Sequence, residues 1–299
     1  MSEQDKVIAL DGVEQRFHAR GTAEGFITAV EDATFTLTSE PPQIVSLVGQ
    51  SGSGKSTIAR NILGLQHPTA GTITYNGQDI FKMSRAQHDD YRRNVQPVFQ
   101  DPYAIFNPFY RVDRVLWKAV KKFGLATGHD AGLKLIEESL AAVRLDPSAV
   151  LGRYPHQLSG VQRQRVMLAR VHMLRPSFII ADEPVSMLDA QVRKLFLDIL
   201  LDFKRDYQMT TLFITHDLST VYYLGGDVMV INKGEIVERG PVSKVMHEPD
   251  HPYTQLLLDS IPQPDPDLRW TEKIEVDRYT DEGTDETATI ATTENIGRI

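Results

Sequence analysis

Residues Ile44 to Leu63 read IVSLVGQSGSGKSTIARNIL, and this stretch decides the fold. An apolar run from Ile44 to Val48 is followed by G-x-x-x-x-G-K-S, from Gly49 to Ser56, and then by an apolar pattern of helical spacing. A strand, a glycine-rich loop and a helix in this order predict a phosphate-binding loop, in which backbone N–H groups and the positive end of the helix face the ligand. We therefore expect this stretch to bind the phosphates of a nucleotide; the alternative is an ordinary glycine-rich turn.

Two side chains at the end of this loop suit a triphosphate. Lys55 can reach the terminal phosphates, and the hydroxyl of Ser56 can coordinate the magnesium ion that bridges them. The glycines free the backbone to curl around the ligand. The predicted contacts with the nucleotide are Gly49, Gln50, Ser51, Gly52, Ser53, Gly54, Lys55, Ser56 and Thr57.

The composition narrows the class of protein. The chain has 299 residues and a net charge of -8, which argues against a nucleic-acid partner because phosphate contacts need concentrated Lys and Arg. It has no cysteine, which excludes disulfides, thiolate zinc sites and iron–sulfur clusters. No apolar run approaches the ~20 residues of a membrane span, and the N-terminus is too polar for a signal peptide. We expect a globular protein of the cytosol.

The N-terminal part predicts an antiparallel β layer. Residues 7–17 and 27–37 have strand-like patterns, and Asn76-Gly77 between β-prone runs predicts a tight hairpin. In the second strand the expected buried side is Ile27, Ala29, Ala33, Phe35 and Leu37, and the expected solvated side is Thr28, Asp32, Thr34 and Thr36. One face of this layer should therefore be exposed to solvent.

The remainder predicts a parallel β/α arrangement with a helical insertion. A helix from Ser84 to Arg93 precedes a short strand, Val95 to Phe99, in which Pro97 indicates an edge or a bulge. Helices dominate from about Val112 to Leu174, and we expect them to form a subdomain.

Polar side chains then follow two further strands. The apolar strand in SFIIADEP ends in Asp182 and Glu183, and the strand from Thr211 to Thr215 is followed by His216. Because the carboxyl ends of parallel strands share one edge of a sheet, these side chains should meet the phosphate loop.

Each of these side chains has an expected role. Asp182 should hold magnesium, Glu183 should accept a proton from the attacking water, and His216 should contact the γ-phosphate. For the two acids the alternative is a strand cap or a surface salt bridge, and for His216 a packed or surface histidine. The amide of Gln100, which follows the strand VQPVF, could bind both magnesium and water, and the aromatic loop after it could contact a partner.

The segment YPHQLSGVQRQRV, Tyr154 to Val166, resembles the signature of ABC ATPases. The resemblance covers about residues 5 to 262. The elements that carry it occur in the order phosphate loop, Gln100, Ser159-Gly160-x-Gln162, Asp182-Glu183, Ser186-Met187-Leu188-Asp189 and His216.

The resemblance implies an α/β fold with a P-loop ATPase core, a mixed sheet, an antiparallel β subdomain and an inserted helical subdomain. The ATPase domain would span residues 1–262, with the helical subdomain at about 110–175, and residues 265–299 would form a flexible acidic tail. Phe26 would stack on adenine, although Phe17 and a core position for Phe26 are alternatives.

The resemblance also implies a site shared by two ATPase subunits, with ATP and Mg²⁺ as cofactors. Ser159, Gly160 and Gln162 would bind the γ-phosphate held by the other subunit. The implied catalytic residues are Glu183, His216, Lys55 and Gln100, and the implied magnesium ligands are Ser56, Gln100 and Asp182. Val161 stands where the family usually has glycine, and we expect its bulk to weaken one composite site, as in a heterodimer with a paralogue.

Two segments, Val98 to Pro108 and His251 to Pro264, are similar to the oligopeptide and dipeptide importer branch, which includes oligosaccharide importers. The C-terminal importer-branch motif would span residues 247–264. The implied protein is a peripheral ATPase at the cytoplasmic face of the cell membrane that powers solute uptake. Its partners would be two transmembrane permease subunits, a second ATPase subunit (the same chain or a paralogue) and an extracytoplasmic solute-binding protein.

Three other interpretations remain open at this point. A soluble ABC ATPase of DNA repair or translation is the main rival, and a phosphate-loop kinase is the other functional one. His247, Asp250 and His251 resemble a metal cluster, but Pro249 and Pro252 place them in a loop, which makes a metal site there the less favoured interpretation.

Overall fold

The computed structural model describes residues 6–19, 21, 25–101 and 105–260. The chain divides into two units, Met1–Leu258 and Asp259–Ile299, and the predicted tail at 265–299 lies outside the described residues. The strands are β1 Val7–His18, β2 Phe26–Thr38, β3 Ile44–Val48, β4 Ala70–Tyr75, β5 Gln78–Asp79, β6 Val95–Phe99, β7 Phe178–Asp182, β8 Thr210–Thr215, β9 Asp227–Asn232 and β10 Glu235–Pro241. The helices are α1 Lys55–Ile62, α2 Arg85–Asn94, α3 Asp113–Phe123, α4 His129–Ala142, α5 Pro147–Val150, α6 Gly160–Leu174, α7 Ala190–Tyr207, α8 Leu218–Leu224, α9 Val242–Val245 and α10 Pro252–Asp259.

A six-stranded mixed sheet forms the centre of the first unit, in the order β10-β9-β3-β8-β7-β6. The strands from β9 to β6 are parallel to their neighbours, and β10 pairs with β9 in the antiparallel direction. All five residues of β3 and all six of β8 are buried, as expected for strands covered on both faces. The strand β6 is at the edge, which confirms the interpretation of Pro97 because the edge needs fewer N–H donors.

A second, antiparallel sheet has the order β2-β1-β4-β5, and the helix α1 lies between the two sheets. The hairpin at Asn76-Gly77 is confirmed, with positive φ at both residues. The buried positions Ala33, Phe35 and Leu37 of β2 are confirmed as well.

The prediction for the first half of β2 was wrong. Ile27 is 55% exposed, whereas Val30 is completely buried. The cause is an irregularity in the pairing with β1, where the register shifts and Asp32 has a φ of 46°. An extra residue at such a bulge reverses which side chains face the core.

The helical insertion is confirmed by α3 to α6. Their apolar side chains form one buried cluster with α7 and with the face of the central sheet next to them. This packing fixes the beginning of α6, which carries Ser159 at its N-cap, relative to the strands β6 and β7.

Tyr91 connects α2 to the helix that follows the phosphate loop. Its side chain is buried, its ring meets Tyr75 edge-on at 5.1 Å, and its hydroxyl donates a hydrogen bond to the carbonyl of Ile62. This carbonyl is at the end of α1, where helical carbonyl groups lack a partner within the helix.

We predict that Tyr91→Phe lowers the free energy of unfolding by about 1–3 kcal/mol, because the buried Ile62 carbonyl loses its donor. Denaturant unfolding of the full chain measures this change. Tyr222→Phe is the matched control. Tyr222 is exposed, so loss of its hydroxyl should leave the free energy of unfolding unchanged. Equal stability of the two variants would contradict the role of Tyr91.

Candidate active site

The backbone of the phosphate loop is packed closely against two neighbouring strands. A Cβ atom on Gly54, whose φ is 104°, would lie 2.2 Å from the carbonyl oxygen of Ala29 in β2. A Cβ atom on Gly49 would lie 2.2 Å from the carbonyl oxygen of Ile231 in β9. Only glycine fits at these two positions, so the two sheets together determine the shape of the loop.

Lys55 lies inside the loop. Its Nζ donates hydrogen bonds of 2.7 Å to the carbonyl oxygens of Gly49 and Gln50, and the residue is only 4% exposed. Burial lowers the pKa of Lys55, and the charges of Glu183 and Asp182 act in the opposite direction. Phosphate oxygens that enter the loop would replace the two carbonyl groups as partners of this ammonium group.

Ser56 and Asp182 are brought together across 126 residues of sequence. The Ser56 hydroxyl donates a hydrogen bond of 3.0 Å to the Asp182 carboxylate. Burial raises the pKa of Asp182, and the bond from Ser56 opposes that shift. Both groups are hard oxygen donors, and two adjacent ligands of an octahedral Mg²⁺ at about 2.1 Å are about 3.0 Å apart. The pair therefore fits a magnesium ion.

Glu183 and His216 form a second pair at the adjacent strand ends. His216 Nδ1 is 3.2 Å from Glu183 Oε1, and the backbone N–H of Glu183 donates to the carbonyl of Ile214 in β8 at 2.9 Å. Glu183 has a φ of 46°, in the left-handed region that non-glycine residues rarely occupy. Such strained backbone is typical of functional positions. The carboxyl ends of the three strands thus bring Lys55, the two acids and His216 to one edge of the central sheet. This is the placement that the sequence predicted for parallel strands.

The placements of Gln100 and Phe26 agree with a role near this edge. Gln100 is exposed and follows Phe99, which is the register partner of Asp182. Phe26 is half-buried at the beginning of β2, with the guanidinium of Arg16 5.2 Å from the centre of its ring. The same strand reaches the phosphate loop at Ala29. The magnesium and adenine roles of these two residues stay predictions.

The signature residues form the N-terminus of α6. Ser159 Oγ accepts the N–H of Gln162 at 3.1 Å, and Gln162 Oε1 accepts the N–H of Ser159 at 2.9 Å. This reciprocal cap orders the first turn. Val161 lines a narrow cleft together with Gln164, Arg165, Leu188, Val192, Leu195 and Phe196.

Val161 lies in the first turn of α6 and is half-buried. The expected weakening of one composite site concerns the contact with another subunit, and it stays a prediction.

A family model described as "ABC transporter" matches residues 32–186, and one described as "Oligopeptide/dipeptide transporter, C-terminal region" matches residues 237–285. The chain belongs to the ABC transporter family. It is therefore an ATPase. Its substrate is ATP, and its metal cofactor is Mg²⁺.

Several relatives support the membership in the ABC family. The putative oligopeptide transport ATP-binding protein YkfD of Bacillus subtilis is 39% identical over 242 residues, which are 81% of this chain and 73% of YkfD. A putative peptide import ATP-binding protein of Brucella ovis is 40% identical over 232 residues, which are 78% of this chain and 73% of that protein. The glutathione import ATP-binding protein GsiA of Salmonella paratyphi A is 40% identical over 268 residues, which are 88% of this chain and 42% of GsiA.

Solved structures show the same fold. The dimeric, post-hydrolysis structure of the ATP-binding cassette MJ0796 bound to ADP and Pi has a TM-score of 0.68 and 25% identity, and it covers 79% of this chain and 98% of that chain. The structure of cbiO1 from Clostridium perfringens has a TM-score of 0.68 and 23% identity, with coverage of 82% and 92%. The predicted fold class is confirmed.

Two contacts of the phosphate loop were not predicted from the sequence. The N–H of Gln50 donates to the hydroxyl of Tyr253 at 3.1 Å, and the N–H of Gly234 donates to the carbonyl of Ser53 at 3.1 Å. Tyr253 lies in the segment that resembled the importer branch, and this was the only available signal. The sequence could not show which residue the hydroxyl would contact, because the partner is 203 positions away.

The segment from His247 to His251 has structural contacts. Asp250 pairs with Lys244 at 2.9 Å, and His251 Nδ1 accepts the N–H of Tyr253 at 3.1 Å. Within residues 6–19, 21, 25–101 and 105–260, no group of three or more His, Cys, Asp or Glu side chains could hold a metal ion. In the same ranges no helix has the length and apolar character needed to cross a membrane.

We predict that Ser56→Ala raises the Mg²⁺ concentration required for ATP binding and hydrolysis by about tenfold or more, because an oxygen ligand is lost and Asp182 loses its hydrogen bond. Titration of Mg²⁺ at fixed ATP measures the effect. Ser56→Thr is the matched control, since it keeps a hydroxyl. An unchanged Mg²⁺ requirement in Ser56→Ala would contradict the assignment.

Proposed function

We propose that this ABC ATPase powers the import of a peptide through membrane permeases. The observation that carries the proposal is the meeting of Lys55, the Ser56–Asp182 pair and the Glu183–His216 pair at one sheet edge. The match of residues 237–285 to an oligopeptide and dipeptide transporter region supports the solute class, and the relatives named for import support the direction. The relatives named above are peptide, oligopeptide or glutathione transport proteins, which favours a peptide over an oligosaccharide.

The chemistry of hydrolysis is divided among the paired groups. The loop amides and the ammonium group of Lys55 bind the phosphates and compensate their charge. Ser56 and Asp182, and Gln100 in this proposal, would hold magnesium, which when bound would supply Lewis-acid charge stabilisation of the phosphates. The carboxylate of Glu183 takes the proton of the attacking water. His216, whose Nδ1 is 3.2 Å from Glu183 Oε1, contacts the γ-phosphate.

A second ATPase subunit completes the site in this proposal. In the cap of α6 the Ser159 oxygen accepts a hydrogen bond, so its own proton remains to be donated to a phosphate oxygen of the other subunit. The N–H of Gly160 belongs to the first helical turn, where donors lack a partner in the helix. The side chain of Gln162 holds the turn in place. The similar cassette MJ0796 bound to ADP and Pi is dimeric, which supports this arrangement.

ATP binding then closes the pair of subunits. A nucleotide that contacts both chains only in the closed state shifts the equilibrium toward that state. Hydrolysis removes the γ-phosphate, which is the group that the two chains share. The subunits separate, and the cycle of closing and opening drives the permeases.

We predict that Glu183→Gln binds ATP with nearly unchanged affinity but hydrolyses it at least about 100-fold more slowly, because the general base is lost. Closed dimers should accumulate with ATP in light-scattering or size-exclusion measurements. The matched control is Glu138→Gln, an exposed position of α4. Hydrolysis at the parent rate in Glu183→Gln would overturn the assignment of the base.

The surface that contacts the permease is proposed to be an aromatic patch formed by Phe109, Tyr110 and Tyr154. Phe109 is 84% exposed, and the other two side chains are also exposed. The N–H of Val112 donates to the carbonyl of Arg153 at 2.8 Å, which places the two segments of the patch side by side. In the sequence, Phe109 and Tyr110 follow Gln100, and Tyr154 precedes the signature helix, so the patch is connected to both parts of the proposed nucleotide site. The subunit would thus act at the cytoplasmic face of the membrane.

We predict that Phe109→Ala weakens binding to the permease subunits by about 30-fold, as expected for an exposed aromatic anchor at the centre of an interface. Binding of the purified subunit to permeases in lipid nanodiscs measures this loss, and the ATP affinity of the free subunit should not change. Leu65→Ala is the control, because Leu65 is exposed outside the patch. Equal binding by Phe109→Ala would refute the docking surface.

The rival function in DNA repair or translation is not supported by the relatives, which are named for transport and import. Purification of the complex from native membranes tests the proposed function as a whole. It should yield two permease subunits, a second ATPase subunit and an extracytoplasmic solute-binding protein carrying a peptide. Recovery with ribosomes or DNA in place of membrane proteins would refute it.

A further inference from the structure

The C-terminal segment of the first unit packs beside the strand that leads into the phosphate loop. Val48, the last residue of β3, belongs to a buried apolar cluster with Val242 and Val245 of α9. Tyr253 of α10 packs against the same cluster and is half-buried. The segment therefore reaches the beginning of the loop from the side of β9 and β10.

The carboxylate of Glu238 fixes the turn that starts α10. Glu238 Oε1 accepts the N–H of Asp250 at 2.9 Å, and Oε2 accepts the N–H of His251 at 3.2 Å. Burial raises the pKa of Glu238, but the bonds from these N–H groups contribute to a net pKa below the usual range. The ionised carboxylate, together with His251 Nδ1 on the N–H of Tyr253, sets the position of the Tyr253 ring.

The hydroxyl of Tyr253 then binds the phosphate loop directly. It accepts the N–H of Gln50 at 3.1 Å, while the carbonyl of Gln50 accepts a 2.7 Å hydrogen bond from Lys55. The Gln50 residue is thus held through its N–H by the C-terminal segment and through its carbonyl by the lysine. When Lys55 turns to the phosphates, its bond to that carbonyl is lost, and the bond to Tyr253 remains to hold the loop.

We propose that Tyr253 is a positioning residue that holds the phosphate loop in its nucleotide-binding shape, with Glu238 acting through it. The C-terminal importer-branch segment thereby sets the affinity of the ATPase for nucleotide. This inference rests on the proposed assignment of the loop from Gly49 to Thr57 as the phosphate site. The hydroxyl carries the effect, because the ring also packs against the apolar cluster and would do so without it.

The test is Tyr253→Phe, which removes the hydroxyl and keeps the ring. In the full chain we expect the Kd for Mg²⁺-ATP to rise about three- to tenfold, the amount expected from one lost hydrogen bond. In the assembled transporter the KM for ATP should rise by the same factor, and kcat should stay within about twofold, because bound phosphates hold the loop once the site is filled. A merely structural role would lower the unfolding temperature without this selective change in KM.

Tyr223→Phe is the matched control. Its hydroxyl donates to Asp198 at 2.5 Å on the surface, so it loses a comparable bond away from the loop. We expect its Kd, KM and kcat to equal those of the parent. Unchanged Kd and KM in Tyr253→Phe, or a fall in kcat with constant KM, would overturn the inference.

A double-variant experiment tests the route from Glu238. Glu238→Gln should raise the KM in the parent chain but add little in the Tyr253→Phe chain, because coupled residues are not additive. Full additivity would show that Glu238 does not act through Tyr253.

Lys55→Ala separates this inference from the proposed function. If Lys55→Ala abolishes ATP binding and Tyr253→Phe has no effect, only the role of Tyr253 fails. If Lys55→Ala binds ATP like the parent, the phosphate site itself is misassigned.

Discussion

The structure depends on the close contact between the backbone of the phosphate loop and the carbonyl groups of two neighbouring strands. Gly54 touches Ala29 of the antiparallel sheet, and Gly49 touches Ile231 of the central sheet, at distances that exclude any side chain. The loop therefore has its shape because both sheets are in place around it. This constraint explains why the antiparallel layer, which contributes none of the proposed catalytic side chains, belongs to the same compact unit as the ATPase core.

The charged groups of the site have partners within the chain. Lys55 is bonded to loop carbonyls, Ser56 to Asp182, and Glu183 to His216. Each pair satisfies a polar group that would otherwise be costly to desolvate. In the proposed site, phosphate oxygens, magnesium and water would take the place of these internal partners. The proposed second subunit adds donors from its signature turn, so closing of the dimer and completion of the site are the same event.

The sequence predicted the elements whose signals are local. The strand, loop and helix around Lys55, the two acids after β7 and the histidine after β8 all lie where their flanking apolar runs indicated. The exposure of Ile27 could not be read in this way, because a bulge at Asp32 changes the register without changing the alternation of residue types. The contact of Tyr253 with Gln50 was equally hidden, since it depends on the packing of distant segments. The left-handed backbone of Glu183 also follows from tertiary contacts, and no glycine marks it.

The central proposal for the molecule is that one ATP is bound by the loop of one subunit and the signature turn of another. The most direct measurement is a cryo-electron microscopy structure of the assembled transporter trapped with ATP and Mg²⁺ by Glu183→Gln. We expect γ-phosphate oxygens within hydrogen-bonding distance of both the loop of one ATPase subunit and Ser159, or its counterpart, of the other. A structure in which a single chain makes all contacts to the nucleotide, with the Ser159 turn remote from every phosphate, would contradict it.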